Sequence, residues 1–123
     1  MKKGPEYIGN GLTAYIAGPI KGKTDYKTEF IIAEGILLAA GYRVLSPIRL
    51  PWNMDEKQYM PICISMVEQA DVVYLLDGWE DSLGALTEAM YAARQGKELF
   101  TVAKQGPSKQ LKWDPISRSF AEV

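Results

Sequence analysis

The sequence has no histidine and a single cysteine, Cys63, among its 123 residues. Histidine is the usual general base near neutral pH and the commonest metal ligand, so its absence excludes serine–histidine and cysteine–histidine catalytic sites. One cysteine cannot form a thiolate metal site. Acid–base chemistry near neutral pH therefore falls to carboxylates, lysine or tyrosine, and we expect neither a metal nor a cofactor.

A dominant charge of one sign and long apolar runs are also missing. The 14 basic and 15 acidic residues give a net charge of −1 with no block of like charges, which argues against a nucleic-acid groove or a membrane-surface patch. No apolar run approaches the roughly 20 residues that span a bilayer, and residues 1–10 lack the apolar core of a signal peptide. We expect a cytoplasmic protein whose partner is a small molecule.

Short apolar strands alternate with segments of helical periodicity along most of the chain. The pattern predicts strands over 13–17, 42–45, 72–76 and 98–103, and helices over 24–40, 59–69 and 82–96. Pro61 is compatible with the second helix because it would lie in the first turn. The order predicts a three-layer α/β domain, Rossmann-like or flavodoxin-like, with a parallel sheet of four or five strands.

Right-handed crossovers favour the strand order 2-1-3-4, which places the first and third strands side by side. The whole chain, 1–123, is predicted to be one domain, since 47% of its residues are hydrophobic and the length suits a single core. The core is assigned to 13–103 and a polar C-terminal tail to 104–123.

The segment over 71–96 carries the clearest functional signal. Its apolar strand ends in a loop, and the following helix can be capped by Ser82 and has Gly84 in its first turn. Free N–H groups and the positive end of the helix dipole make such a terminus an anion site. Glu88 follows one turn later, with no Lys or Arg at the neighbouring positions on its face. We predict that Glu88 faces a pocket, with an ordinary surface glutamate as the alternative.

A second candidate anion site follows the first strand, in the loop G-P-I-K-G over 18–22. Its backbone N–H groups, with Lys21 and Lys23, can approach a phosphate or carboxylate. The spacing matches neither a Walker motif nor a dinucleotide motif, and a plain turn with surface lysines is the alternative. Because strands 1 and 3 are predicted neighbours, this loop and the Ser82 loop would flank one crevice.

Three segments together resemble the nucleoside 2-deoxyribosyltransferase superfamily. They are Y-I-A-G-P-I-K-G at 15–22, G-Y-R-V-L-S-P at 41–47 and A-D-V-V-Y-L-L-D-G-W-E-D-S-L-G-A-L-T-E at 70–88. More narrowly, the chain is similar to a short branch found in bacteriophages and bacteria and related to 2′-deoxynucleoside 5′-phosphate N-hydrolases. The resemblance covers 15–102.

The resemblance implies a role for each site residue. Glu88 would be the catalytic carboxylate, and Asp81 a loop acid that protonates the leaving base, with Asp77 or Glu80 as the other choices. An aspartate that related enzymes carry on the preceding helix is replaced by Cys63. Trp79 would either stack on the base or plug the end of the strand. The predicted substrate-binding residues are Gly18, Pro19, Ile20, Lys21, Gly22, Trp79, Ser82, Gly84 and Ala85.

The function that follows is cleavage of the N-glycosidic bond of a (deoxy)nucleoside 5′-monophosphate, by hydrolysis or base exchange. The alternative is a protein that binds or sequesters a nucleotide without turnover, and the replacement at Cys63 favours it. Superfamily members are commonly oligomeric, so we expect a homo-oligomer, with Trp113 and Phe120 of the tail as docking residues.

Overall fold

The computed structural model describes residues 9–22, 24–51, 53–102 and 108–123. Lys23, Ala103 and the first part of the predicted tail lie outside the described residues. In chain order the helices and strands are β1 (Thr13–Ala17), α1 (Tyr26–Ala39), β2 (Arg43–Leu45), α2 (Glu56–Gln69), β3 (Val72–Leu75), α3 (Leu83–Arg94), β4 (Glu98–Thr101), β5 (Gln110–Asp114) and β6 (Ser119–Glu122). Short 3₁₀ turns occupy Pro47–Arg49 and Trp79–Asp81. No described helix has both the length and the apolar character needed to cross a membrane.

The strands form one sheet in the order β2-β1-β3-β4-β5-β6. The first four are parallel, and their order 2-1-3-4 confirms the predicted arrangement. β5 and β6 extend the sheet as an antiparallel hairpin, so the described part of the chain has six strands and not four or five. Within the segment assigned as a polar tail, 110–114 and 119–122 thus form two strands that the sequence pattern did not predict. The apolar residues of this segment are spaced too sparsely to predict a strand. The strands form because β4 offers an edge with which β5 can pair.

Helices cover both faces of the parallel part of the sheet, as predicted. Successive side chains of a strand point to opposite faces, so Ala14 and Ile16 of β1 pack against the α1 side while Tyr15 and Ala17 pack against α2 and α3. α1 contributes Phe30, Ala33 and Leu37 to its side of the core. The face that carries Tyr15 also carries the buried residues of α2 and α3, and it forms the floor of the site described below.

α2 begins three residues earlier than predicted. The backbone N–H of Asp55 donates to Oε1 of Gln58 at 2.8 Å, which is one half of a capping box and fixes the start of the helix. The first turn is polar and shows no apolar periodicity, so the sequence pattern missed it. Pro61 consequently lies in the second turn, where it removes one intrahelical hydrogen bond, and the prediction that it lies in the first turn is wrong.

Candidate active site

A cavity of about 330 Å³ opens at the carboxyl ends of β1 and β3. The loop after β1 and the start of α3 form two of its walls, as the adjacency of the two strands predicted. The exposed face of α2 forms the third wall. The lining residues are Gly18, Pro19, Ile20, Lys21, Pro47, Glu56, Tyr59, Met60, Cys63, Gly78, Asp81, Ser82, Leu83, Gly84, Ala85 and Glu88. Of the predicted substrate-binding residues, Gly22 and Trp79 do not line this cavity.

The N-terminus of α3 opens onto the cavity. Ser82 caps the helix, and its Oγ accepts a hydrogen bond from the N–H of Ala85 at 3.3 Å. The N–H groups of Leu83 and Gly84 lie in the first turn, where helix geometry offers them no intrahelical acceptor. The side chain of Lys21 adds a cation from the opposite wall. Backbone donors, a helix dipole and one ammonium group thus face the same space.

Gly18 has a packing role at the end of β1. A Cβ atom at this position would lie 2.8 Å from the side chain of Leu76, which is buried at the end of β3. Any larger residue would push apart the two strand ends that form the mouth of the cavity. Gly78 has a left-handed φ of 85°, which lets the chain turn sharply after β3 towards Ser82.

Glu88 lies at the floor of the cavity, in the second turn of α3. The residue is only 5% exposed, so the alternative of a surface glutamate is wrong. The pKa of its carboxyl group is raised from 4.5 to about 7, because the effect of burial exceeds the opposing effects of Tyr15 and Cys63. Near neutral pH, Glu88 therefore exchanges readily between a neutral acid and a carboxylate.

Tyr15 is a site residue that the sequence reasoning did not single out. Its ring is fully buried, and its hydroxyl faces Glu88 and Cys63, although it forms no hydrogen bond of standard geometry there. Burial first, and then the nearby Glu88, raise the pKa of Tyr15 well above 10, so the hydroxyl stays protonated and can donate. The alternation along β1 could have found it, because Tyr15 shares the α3-facing side of the strand with Ala17.

Cys63 lies on α2, beside Tyr15 and Glu88. The pKa of the thiol is raised to about 11, because burial, the largest cause, and Glu88 outweigh the opposing effect of the nearby Tyr15 hydroxyl. The group is thus neutral in the range where Glu88 titrates. An aspartate here would place a second negative charge beside Glu88. With a thiol, the floor of the cavity carries one ionisable carboxyl group in a mostly apolar environment.

Two carboxylates and a tyrosine occupy the rim. Asp81 is exposed at the end of the 3₁₀ turn, and Glu56 is exposed in the first turn of α2. Desolvation first, and then Glu56, raise the pKa of Tyr59. Glu56, Tyr59 and Cys63 are three to four residues apart and therefore share one face of α2. The sequence analysis missed this shared face because it started the helix at residue 59, after Glu56. Asp77 and Glu80 line a separate cavity beside the β5–β6 hairpin.

Trp79 is buried away from the candidate site. Its ring meets Phe120 edge-on with centroids 5.3 Å apart, and Phe120 meets Trp113 in the same way at 5.1 Å. Of the two roles considered for Trp79, plugging the strand end fits this position and stacking on a substrate base does not. Trp113 and Phe120 therefore pack on their own domain, and because both stay partly exposed, their use as docking residues stays a prediction.

Within the part of the chain that the structure describes, no three Cys, Asp or Glu side chains lie close enough together to hold a metal ion. The cavity contains a buried carboxyl group, Glu88, beside the hydroxyl of Tyr15. The first residue of α3 lies five positions before that carboxyl group.

Comparisons with known proteins agree with this architecture. A family model described as "Domain of unknown function (DUF4406)" matches residues 12–101. No curated protein sequence matches the chain. A 2-deoxyribosyltransferase from Bacillus psychrosaccharolyticus superposes with a TM-score of 0.58 and 21% identity, over 77% of this chain and 76% of that one. A 2-deoxyribosyltransferase from Leishmania mexicana superposes with a TM-score of 0.61 and 22% identity, over 76% of this chain and 65% of that one.

These two similarities confirm the predicted nucleoside 2-deoxyribosyltransferase-like fold. The assignment to a bacteriophage branch stays a prediction. At 21% and 22% identity the superpositions establish the fold, while the chemistry has to be argued from the cavity itself.

Proposed function

The chain belongs to the DUF4406 family, and from its fold and the buried Glu88 of its cavity we propose that it cleaves the N-glycosidic bond of a (deoxy)nucleoside 5′-monophosphate. Glu88 would supply the carboxylate, and either water or a second base would complete the reaction. The proposal covers both hydrolysis and base exchange, because both proceed through the same bond cleavage at the anomeric carbon.

The observation that carries the proposal is the burial of Glu88 at the floor of the cavity. Cleavage of an N-glycosidic bond develops positive charge on the sugar ring, and a carboxylate can stabilise that charge or attack the anomeric carbon. A desolvated carboxylate does this more strongly than a hydrated one, because the surrounding dielectric is low. A pKa of about 7 leaves a large ionised fraction of Glu88 available near neutral pH.

The distance from Ser82 to Glu88 suits a nucleotide. Glu88 follows Ser82 by six positions, a rise of about 9 Å along the helix axis. A 5′-phosphate held by Ser82, the N–H groups of Leu83 and Gly84, and Lys21 would leave the sugar beside Glu88. Glu56 and Asp81 also line the cavity, so Lys21 has to offset acidic neighbours as well as bind the phosphate.

Asp81 is the proposed donor of a proton to the leaving base. It lines the cavity at the end of the loop that precedes α3, whereas Asp77 and Glu80 line another surface. A carboxylic acid is the natural donor in a site without histidine. Tyr15 is the proposed positioning residue for Glu88, since its hydroxyl is buried against the carboxylate.

The test is release of free base from a panel of ribo- and deoxyribonucleoside 5′-monophosphates and the matching nucleosides, followed by chromatography. We expect at least one monophosphate to release its base, and Glu88→Gln to abolish the release. The same panel is screened by thermal shift. If no compound is cleaved and none stabilises the protein, the proposal is wrong for both reaction and ligand.

A second candidate is a nucleotide-binding or nucleotide-sequestering protein without turnover. The specific observation in its favour is the neutral thiol of Cys63 where related enzymes carry an aspartate beside the glutamate. In the panel above, stabilisation by a nucleotide with no release of base from any compound would support this candidate.

A further inference from the structure

The outward face of α1 is apolar, although it is not covered by any described part of the chain. Its inward face packs Phe30, Ala33 and Leu37 into the core. On the outward side four large aliphatic residues keep between 39% and 54% of their surface exposed: Ile31 53%, Ile32 44%, Ile36 39% and Leu38 54%. A helix that is apolar all round is normally buried on all sides.

The four aliphatic residues are arranged as two ridges. At 100° per residue, Ile31 and Leu38 lie on one side of the outward face, and Ile32 and Ile36 lie on the other. Gly35 lies between them, exposed, and a Cβ atom there would meet nothing within 4 Å. A shallow groove with an aliphatic ridge on each side is the shape that a second helix packs against.

The size of this surface fits association with a partner of similar shape. The exposed parts of the four side chains amount to a few hundred Å² of apolar surface, the scale at which patches on single chains become interaction sites. A stable dimer removes about 800 Å² from each partner, of which about 65% is apolar at a homodimer interface. The two ridges of α1 would supply the larger part of the apolar area that each partner buries in such a dimer.

Charge on α1 favours an antiparallel copy of the same helix. Lys27 lies near the N-terminal end and is exposed, whereas the last turn contains no basic residue to offset the negative end of the helix dipole. In an antiparallel pair the Lys27 of each copy approaches the carboxyl end of the other. Glu34, which flanks the ridge formed by Ile31 and Leu38, is already paired with Arg49 of the same chain.

We propose that the outward face of α1 is the interface of a two-fold symmetric homodimer, in which the α1 helices of two copies pack antiparallel across Gly35. A two-fold interface uses the same patch on both copies, so one self-complementary helix face suffices. Glu88 and its neighbours lie on the opposite side of the sheet. The proposal is independent of the reaction assigned to that site.

Sedimentation velocity over micromolar concentrations tests the proposal with a matched pair of variants. Ile31→Glu combined with Leu38→Glu places charges on one ridge, and we expect dimerisation to weaken at least about 100-fold. Ile116→Glu is the control, because Ile116 is 92% exposed in the β5–β6 turn, away from α1. It should dimerise like the wild type. A monomeric wild type, or a double variant that dimerises normally, overturns the proposal.

A crosslinking experiment covers the case in which the double variant fails to fold. Gly35→Cys adds a thiol where the chain itself leaves open space. If the two helices cross there, mild oxidation should give a disulfide-linked dimer within a time in which Ile116→Cys forms no intermolecular disulfide. Equal crosslinking of the two variants would show random collision and refute the interface.

Discussion

The hydroxyl of Tyr15 on β1 lies beside the carboxylate of Glu88 on α3, and both side chains are buried. Each side chain changes the acidity of the other. The interaction lowers the pKa of Glu88 against the larger effect of burial, and it adds to the burial that raises the pKa of Tyr15. The hydroxyl of Tyr15 thus stays protonated, and the carboxyl group of Glu88 is about half ionised near neutral pH.

The first prediction concerns turnover. Glu88→Gln keeps the shape of the side chain and removes its negative charge, so base release should fall by about 10²- to 10⁴-fold while nucleotide affinity stays within several-fold. Single-turnover kinetics and isothermal titration measure the two quantities. Wild-type turnover in a folded Gln variant would rule out Glu88 as the catalytic group.

The second prediction concerns stability. The folded-state pKa of Glu88 lies above its ordinary value of 4.5, so folding favours the protonated form, and the stability this provides is lost as pH rises through about 7. Above that pH the buried charge costs about 3 kcal/mol. Glu88→Gln should therefore be more stable than the wild type at about pH 8, with a much smaller difference at about pH 5.

Urea unfolding of both proteins at the two pH values measures this difference. Glu56→Gln is the matched control, because Glu56 is exposed in the first turn of α2. A gain in stability for Glu88→Gln that is the same at both pH values would show that the carboxyl group does not titrate in this range.

The third prediction concerns the pH dependence of activity. If the ionised form of Glu88 is required, kcat/KM should rise with pH through about 7. Tyr15→Phe removes the interaction that lowers the pKa of Glu88, so the rising limb should move to higher pH. If kcat/KM of Tyr15→Phe fell equally at every pH, Tyr15 would contribute to activity in a way other than through the pKa of Glu88.

The fourth prediction concerns the phosphate. Removing Lys21 or the hydroxyl of Ser82 should weaken binding of a monophosphate by roughly 10- to 150-fold, since each charge-assisted contact contributes about 1.5–3 kcal/mol. Binding of the free nucleoside should hardly change. Lys112→Ala, on the exposed side of β5, is the control for the loss of one positive charge. Equal losses for nucleoside and nucleotide would place the anion site elsewhere.

The fifth prediction concerns Trp79. Because its ring is buried against Phe120, Trp79→Ala should destabilise the domain by about 3–5 kcal/mol. Trp79→Phe should retain most of the stability and leave nucleotide affinity unchanged. If the stable Trp79→Phe variant lost nucleotide affinity, the ring of Trp79 would stack on the substrate base after all, contrary to what its position indicates.

The sequence was sufficient to predict the parallel core and two walls of the cavity, but not the wall formed by α2. Apolar runs and helical periodicity are local properties, and right-handed crossovers leave few strand orders, so the sequence alone places β1 beside β3. The Ser82 cap is equally local, since a side chain bonds to a backbone group three residues away. These features depend on short-range geometry that the order of residues itself determines.

Only the tertiary structure decided the environment of Glu88 and the fate of the C-terminal residues. The pKa of Glu88 depends on desolvation by three elements far apart in sequence, which carry Tyr15, Cys63 and Glu88 itself. The β5–β6 hairpin forms because β4 offers an unpaired edge, and its aromatic residues then cover Trp79. Burial and strand pairing are properties of the assembled chain, so the pattern of residues predicted that Glu88 faces a pocket but not how strongly that pocket would change its acidity.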